Sequence, residues 1–347
     1  MIALEEKLDL LRVQIVSDDN QDESRRNTNV AAIIVTYNPD YAALLRGLSA
    51  IAKQVGFIVI VDNASRDFLS WQVESFCETL DIEICIISLQ KNVGLGAGIN
   101  SGITKVKSLY FPFVILFDQD SIPREGMIKL LGQAYKVLSA TNPCVAAVGP
   151  RFLNPENGEL SYFTHFGRFS MRQIKCDSQN GIVLADFLIS SGSYISIKAL
   201  DEIGCMDETL FIDYVDTEWC LRARSEGWLV YGVCNAIMEH SLGERRRRFW
   251  LLRWRNIAQH SPFRYYYIFR NSLILSRRSY ILPNWGRCIV LHNIMLAIYL
   301  VIASPNRFEN LKMLLRGIAD GIRSVHGSIP WIILEKIRKR PKSNFKK

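Results

Sequence analysis

Short apolar runs alternate with helical stretches through the first half of the chain, and no other feature restricts the fold so tightly. Residues 30–36, 57–61, 82–88 and 113–117 are such runs, followed by 145–148. They are nearly continuous in apolar character rather than alternating, as strands are when both sheet faces are covered. Between them lie helical patterns. Pro39 opens one with Leu44, Leu45, Leu48 and Ile51 on a single face. Pro123 is expected in the first turn of the helix after the fourth run, where its missing N–H needs no partner. Strand and helix in alternation predict an α/β fold with a mostly parallel central sheet.

In open sheets of this class, ligands bind beyond the carboxyl ends of the strands. Each run here ends in polar or small residues: Thr36-Tyr37-Asn38, Asp62-Asn63, Asn92 through Gly98, and Asp118-Gln119-Asp120. Four such ends on one rim describe one site. Asp118 and Asp120 are spaced i and i+2, which places both on one side of an extended backbone. Convergent carboxylates repel unless a cation lies between them. Mg²⁺ or Mn²⁺ takes oxygen ligands of this kind and is shared with substrate phosphates. A solvated turn or helix cap is the other reading of the same spacing.

Three later segments also carry chemistry. Ser190-Ser191-Gly192-Ser193 is small enough for a ligand to approach the backbone, or is a tight turn between strands. Asp213 is expected to cap a helix that runs to about Glu226 and stops at Gly227. Asp216 then falls in the first turn, placed to take a proton from an attacking hydroxyl or simply to complete the helix N-terminus. Glu218, Arg222 and Glu226 are i,i+4 partners that orient that helix. His240 completes an oxygen-rich metal site, contacts a diphosphate or is structural.

The net charge of +8 is clustered. Arg245 to Arg248 are consecutive, and Lys336, Arg338, Lys339, Arg340, Lys342, Lys346 and Lys347 make the end of the chain basic. Clustering of this kind favours phosphates or acidic lipid heads. Nucleic acid is not an expected partner, because no recognition motif accompanies the arginines. Gly94, Gly96 and Gly98 make a poor dinucleotide fingerprint and follow the third strand rather than the first. Eight scattered cysteines without a C-x-x-C pair predict reduced thiols in the cytoplasm. Glu5, Glu6 and Asp9 interrupt any apolar leader, so no signal peptide is expected.

Taken together the motifs resemble the family 2 inverting glycosyltransferases, and within them the bacterial L-rhamnosyltransferases. Residues 35–38 (Val-Thr-Tyr-Asn), 61–65 (Val-Asp-Asn-Ala-Ser), 92–100, 117–121 (Phe-Asp-Gln-Asp-Ser) and 213–222 occur in the family's order. The resemblance implies a glycosyltransferase A-type fold and a nucleotide-sugar donor, dTDP-β-L-rhamnose. It implies that Thr36 and Asp62 meet the base and ribose, and that Tyr37, Asn38, Asn92, Gly94 and Gln119 lie along the nucleotide. Asp118 and Asp120 match the family's metal-binding D-x-D, with His240 as a further metal or phosphate contact. Asp216 matches the catalytic base. Val215 stands where many relatives have a Glu, which leaves Glu218 as a backup base. Ser191, Gly192 and Arg222 would support the acceptor side. Other nucleotide sugars, or binding without turnover, remain alternatives.

The expected organisation is a polar leader over 1–29, a catalytic domain over 30–245 and a basic, helical region over 246–347. Residues 286–303 are apolar apart from Arg287, His292 and Asn293. They read as a helix lying in a membrane surface, a span or a buried helix. Leu311, Leu314, Leu315, Ile318, Ile322 and Val325 then repeat with helical period among Lys312, Arg316 and Arg323. A lipid-linked oligosaccharide acceptor at an anionic membrane, on its cytoplasmic face, accounts for both features.

Overall fold

The computed structural model describes residues 26–155, 158–168, 170–176, 181–239, 246–251 and 253–329. The polar leader through residue 25, His240, Arg245 and the basic end of the chain lie outside them.

The apolar runs become strands β1 (Asn27–Thr36), β2 (Val55–Asp62), β3 (Ile84–Ser88) and β4 (Phe113–Asp118). These four lie parallel in the order β3-β2-β1-β4. Helices α1 (Tyr41–Ala52), α2 (Ser70–Thr79) and α3 (Leu95–Ser108) connect them. Asp40 caps α1 by accepting the Ala43 N–H at 2.9 Å, so the helix begins just after Pro39. Alternate residues of the strands enter two separate cores. Ile33, Val59, Val61 and Leu116 face α3, while Ile34, Ile58, Ile60 and Phe117 face α1. Two covered faces explain why the runs lack a polar alternation. Packing of α3 on β1 is close: a Cβ at Gly102 would lie 2.5 Å from the Ile33 side chain.

Beyond β4 the sheet becomes mixed. It continues through β10 (Tyr194–Ser196), β6 (Val145–Leu153), β11 (Leu229–Glu239) and β5 (Ile122–Pro123), with β9 (Ile182–Ala185) also on β11. β10 is antiparallel to both neighbours, whereas β6 and β11 are parallel. Pro123 therefore departs from expectation. It pairs with Met238 in a two-residue edge strand, and the next helix, α4 (Met127–Thr141), starts after Gly126. Proline is tolerated there because an edge position asks for one ladder bond fewer. Helices α5 (Ile197–Ile203) and α6 (Val215–Ser225) complete this half, and β7 (Phe163–Phe166) pairs with β8 (Met171–Ile174) as a separate hairpin.

The thiols are not all reduced. Cys176 and Cys234 form a disulfide, and the other six cysteines are free. β9 lies antiparallel on β11, and beside it the Cys234 N–H binds the Gly181 carbonyl at 2.8 Å. Sequence spacing did not reveal this pair because the contact depends on strand order.

The region from residue 246 opens with a hairpin, β12 (Arg246–Leu251) and β13 (Arg253–Ala258), rather than a helix. Among the described residues, three helices follow: α7 (Pro262–Leu275), α8 (Pro283–Ile302) and α9 (Arg307–Ile322). Tyr265, Tyr266 and Tyr267 are fully buried in α7, so they pack the interior. α8 is long and apolar enough to cross a membrane, yet Trp285, Cys288, Ile289, Leu296, Tyr299 and Leu300 are buried against the protein.

Candidate active site

Register places the strand ends side by side. Thr36 pairs with Asp62, and Val35 with Asp118, so the ends of β1, β2 and β4 form one ledge. Thr36 is fully buried and donates its hydroxyl to Asp62 at 3.2 Å. Asp62 also accepts the Ser65 hydroxyl at 2.5 Å and the Ser65 N–H at 3.1 Å. Ser65 in turn accepts the Asn38 N–H at 2.7 Å. This network shapes the turn after β2, while Tyr37 and Asn38 are exposed above it. The Tyr37 N–H donates to the Gln119 side chain at 2.9 Å, which latches the first loop onto the turn after β4.

The third loop is built for close backbone approach. Asn63, which the sequence places on the rim without a role, donates to the Gly94 carbonyl at 3.1 Å and accepts the Val93 N–H at 2.9 Å. Asn92 accepts the Gly94 N–H at 3.0 Å. Gly94 has φ +92°, and a Cβ there would lie 2.5 Å from the Phe211 carbonyl oxygen. That carbonyl accepts the Leu95 N–H at 2.6 Å. Positive φ and lack of space both demand glycine.

Asp118 ends β4, but Gln119 and Asp120 occupy a turn. The extended i, i+2 geometry therefore stops at Asp118, and Asp120 lies in the turn that follows. Both carboxylates are partly exposed. Among the described residues, no three His, Cys, Asp or Glu side chains are grouped to hold a metal alone. The donor set still fits Mg²⁺ or Mn²⁺, which bind through one or two carboxylates plus phosphate and water. His240 lies outside the described residues.

The small-residue patch is a turn that joins this ledge to α6. The Asp118 N–H donates to the Ser191 hydroxyl at 3.0 Å, and Ser191 and Ser121 hydroxyls are 2.7 Å apart. Gly192 has φ +81°, and a Cβ there would strike Pro150 at 2.5 Å. One residue earlier, the Ser190 N–H donates to Asp216 at 3.1 Å. The Thr217 N–H donates to the same carboxylate at 2.7 Å. Burial raises the Asp216 pKa, the Asp118 charge raises it further, and these backbone donors oppose the shift. The outcome is a carboxylate more basic than an exposed aspartate.

Other expectations are redirected. Asp213 does not cap α6: its φ is +65°, and it pairs with Arg264 at 2.6 Å. Burial disfavours the Arg264 charge, but Asp213, Asp118 and Asp216 outweigh it and raise its pKa. Gly227 does stop the helix, with φ +86°. Glu218 is already engaged by its neighbours. It is buried against Arg222 at 2.8 Å, and it accepts the Tyr280 hydroxyl at 2.5 Å. Arg222 spends its remaining donors on the Ile203 and Cys205 carbonyls at 2.5 and 2.7 Å, not on Glu226. The part Arg264 plays was not legible in the sequence, because it depends on α7 folding back onto the 210–214 segment.

Residues 31–201 match the family model described as glycosyl transferase family 2. The chain is 30% identical over 303 residues to the dTDP-rhamnosyl transferase RfbF of Shigella flexneri, covering 87% of this chain and 98% of the relative. Two solved structures share the fold. The mannosyltransferase PcManGT from Pyrobaculum calidifontis, in complex with GDP-Man and Mn²⁺, superposes with TM-score 0.52 at 15% identity, over 97% of this chain and 86% of that one. GalNAc-T7 with UDP, GalNAc and Mn²⁺ gives TM-score 0.53 at 12% identity, over 85% of this chain and 56% of that one.

Proposed function

Because this chain belongs to glycosyl transferase family 2 and is a glycosyltransferase of the A-type fold, we propose that it transfers L-rhamnose from dTDP-β-L-rhamnose with inversion. The acceptor is a hydroxyl of a lipid-linked oligosaccharide in O-antigen or other surface polysaccharide synthesis. The similarity to RfbF over nearly its whole length supports the donor. The junction of Asp118, Ser191, Ser190 and Asp216 supports the chemistry, since it sets a basic carboxylate beside the carboxylate ledge.

In this reading Tyr37, Asn38, Asp62, Asn92 and Gly94 border the nucleotide, with Thr36 beneath them. Asp118 and Asp120 hold Mg²⁺ or Mn²⁺, and His240 is a further candidate ligand. When bound, the ion neutralises charge on the departing diphosphate. Asp216 takes the proton from the acceptor hydroxyl as that oxygen attacks the anomeric carbon opposite the diphosphate. Ser190 and Thr217 aim the carboxylate. Ser191 and Gly192 shape the acceptor side, and Glu218 with Arg222 fixes α6 from behind.

The acceptor's lipid is met at the cytoplasmic face of the membrane. Val290, Ile294, Ile298 and Val301 form an exposed apolar stripe on α8, and Phe308, Leu315 and Ile322 form another on α9. Lys312, Arg316 and Arg323 accompany the second. With one side packed on the protein and the other apolar and exposed, α8 is read here as lying along the membrane surface.

Incubation with radiolabelled dTDP-rhamnose, Mn²⁺ and membrane lipid acceptor tests the proposal. Label should appear in the lipid fraction. Thermal stabilisation across a panel of nucleotide sugars should be greatest with dTDP-rhamnose. A clear preference for another donor would retain the transferase and reject rhamnose.

A further inference from the structure

The segment 210–214 leads directly into the helix that carries Asp216, and it holds a conformation that its own residues disfavour. Phe211, Asp213 and Tyr214 have φ of 66°, 65° and 65°, the left-handed region that non-glycine residues rarely adopt. Such backbone persists only where surrounding structure imposes it.

The imposing structure is α7. The Asn271 side-chain amide donates to three carbonyls of this segment: Leu210 at 3.0 Å, Ile212 at 2.8 Å and Asp213 at 3.0 Å. Its two N–H groups are thus shared among three acceptors. Arg270 donates to the Leu210 carbonyl at 2.8 Å and to the Asn271 side-chain oxygen at 2.9 Å, which fixes the amide's orientation. Both side chains are fully buried. The Arg270 guanidinium lies 4.8 Å from the centre of the Tyr267 ring, and Tyr267 stacks on Phe211 at 5.2 Å. Arg264 grips Asp213 from the outer side. Opposite, the segment leans on the Gly94 loop through the Phe211 carbonyl.

We propose that Asn271, oriented by Arg270, is a positioning residue for the transfer reaction: it clamps residues 210–214 and so sets where Asp216 meets the acceptor. The proposal rests on Asp216 being the base. It gives the carboxyl-terminal helices a part in the chemistry that is separate from any contact with membrane.

The groups whose charge or hydrogen bonds reach Asp216 include Asp118 from β4, Arg264 from α7, the Ser190 N–H, and Tyr214, Thr217 and Cys220 from its own helix and the residue before it. None belongs to the clamp's amide, so a change at Asn271 reaches Asp216 only through the backbone of the segment.

The test uses the full chain with Asn271→Ser, and with Arg264→Gln as a second variant at a partly exposed position that is easier to fold. Hydrogen exchange over 210–218 reads the clamp without any reaction. Kinetics with saturating donor read the positioning. Exchange in this segment should accelerate in both variants. In Asn271→Ser, kcat should fall by about 10²-fold, as a misplaced catalytic group does, while donor KM changes by less than about twofold. The acid limb of its pH–rate profile should move to lower pH as water reaches Asp216. Unchanged exchange would overturn the clamp. Faster exchange with unaltered kcat and acid limb would overturn the positioning role, as would a loss of kcat matched by an equal loss of donor affinity. Failure of the wild-type protein to transfer sugar from any donor would instead reject the underlying reading, and the exchange data tell these failures apart.

Discussion

Asp118 and Asp216 are held by adjacent residues of one turn: Ser191 accepts the Asp118 N–H at 3.0 Å, and Ser190 donates to the Asp216 carboxylate at 3.1 Å. A strand end and a helix start, far apart in sequence, thereby share one hydrogen-bonded support. Their charges interact, and the Asp216 pKa rises in consequence of burial first and Asp118 second.

Replacing Asp216 with Asn should abolish measurable transfer, a loss of about 10²–10⁴-fold or more, with nucleotide binding retained. Wild-type activity should rise with pH as Asp216 ionises, with a midpoint above the ordinary carboxylate range. Stability runs the other way. A carboxyl whose folded pKa is raised favours the native state below its unfolded pKa, and that contribution is lost as pH rises through the folded value. Asp216→Asn should therefore melt higher than wild type near pH 8 and not near pH 4, measured by thermal unfolding. Robust turnover by the Asn variant would remove Asp216 from the mechanism.

Asp120→Ala should leave the fold intact, because its side chain sits on a partly exposed turn. The increment that Mn²⁺ adds to dTDP-dependent thermal stabilisation should vanish in this variant. Equal increments in variant and wild type would assign the ion to other residues.

At Gly94 the prediction is steric. Alanine would place a Cβ 2.5 Å from the Phe211 carbonyl at φ +92°, a strain of about 1–3 kcal/mol. Chemical denaturation should show that loss, together with weaker donor binding. Wild-type stability in Gly94→Ala would mean the loop relaxes freely.

Ile294 and Ile298 are exposed on one side of α8, at 52% and 36%. The double change Ile294→Glu with Ile298→Glu should reduce co-sedimentation with phosphatidylglycerol vesicles and leave donor-induced stabilisation as it was. Undiminished sedimentation would place membrane contact elsewhere.

Much of the ledge was legible in sequence because it rests on local rules. Continuous apolar runs gave doubly covered strands, and polar residues at their ends gave the rim. Gly94 was visible as a turn glycine, but the Phe211 carbonyl that crowds it was not. What escaped depended on chain paths that no local pattern encodes. Pro123 was drawn into an edge strand by β11, a partner more than a hundred residues away. Asp213 looked like a cap because its neighbours favoured a helix, but Arg264 on α7 claimed its carboxylate. The Tyr280 and Arg222 contacts of Glu218 were only half legible, since Arg222 is its i+4 neighbour but Tyr280 reaches it from 62 residues away. Cys176 and Cys234 became partners only through strand order.

The Phe211 carbonyl touches the glycine loop on one side and belongs to the segment leading to Asp216 on the other. On the proposed reading, a nucleotide that settles the first also settles the second. Substrates would then add in a compulsory sequence, donor before alcohol.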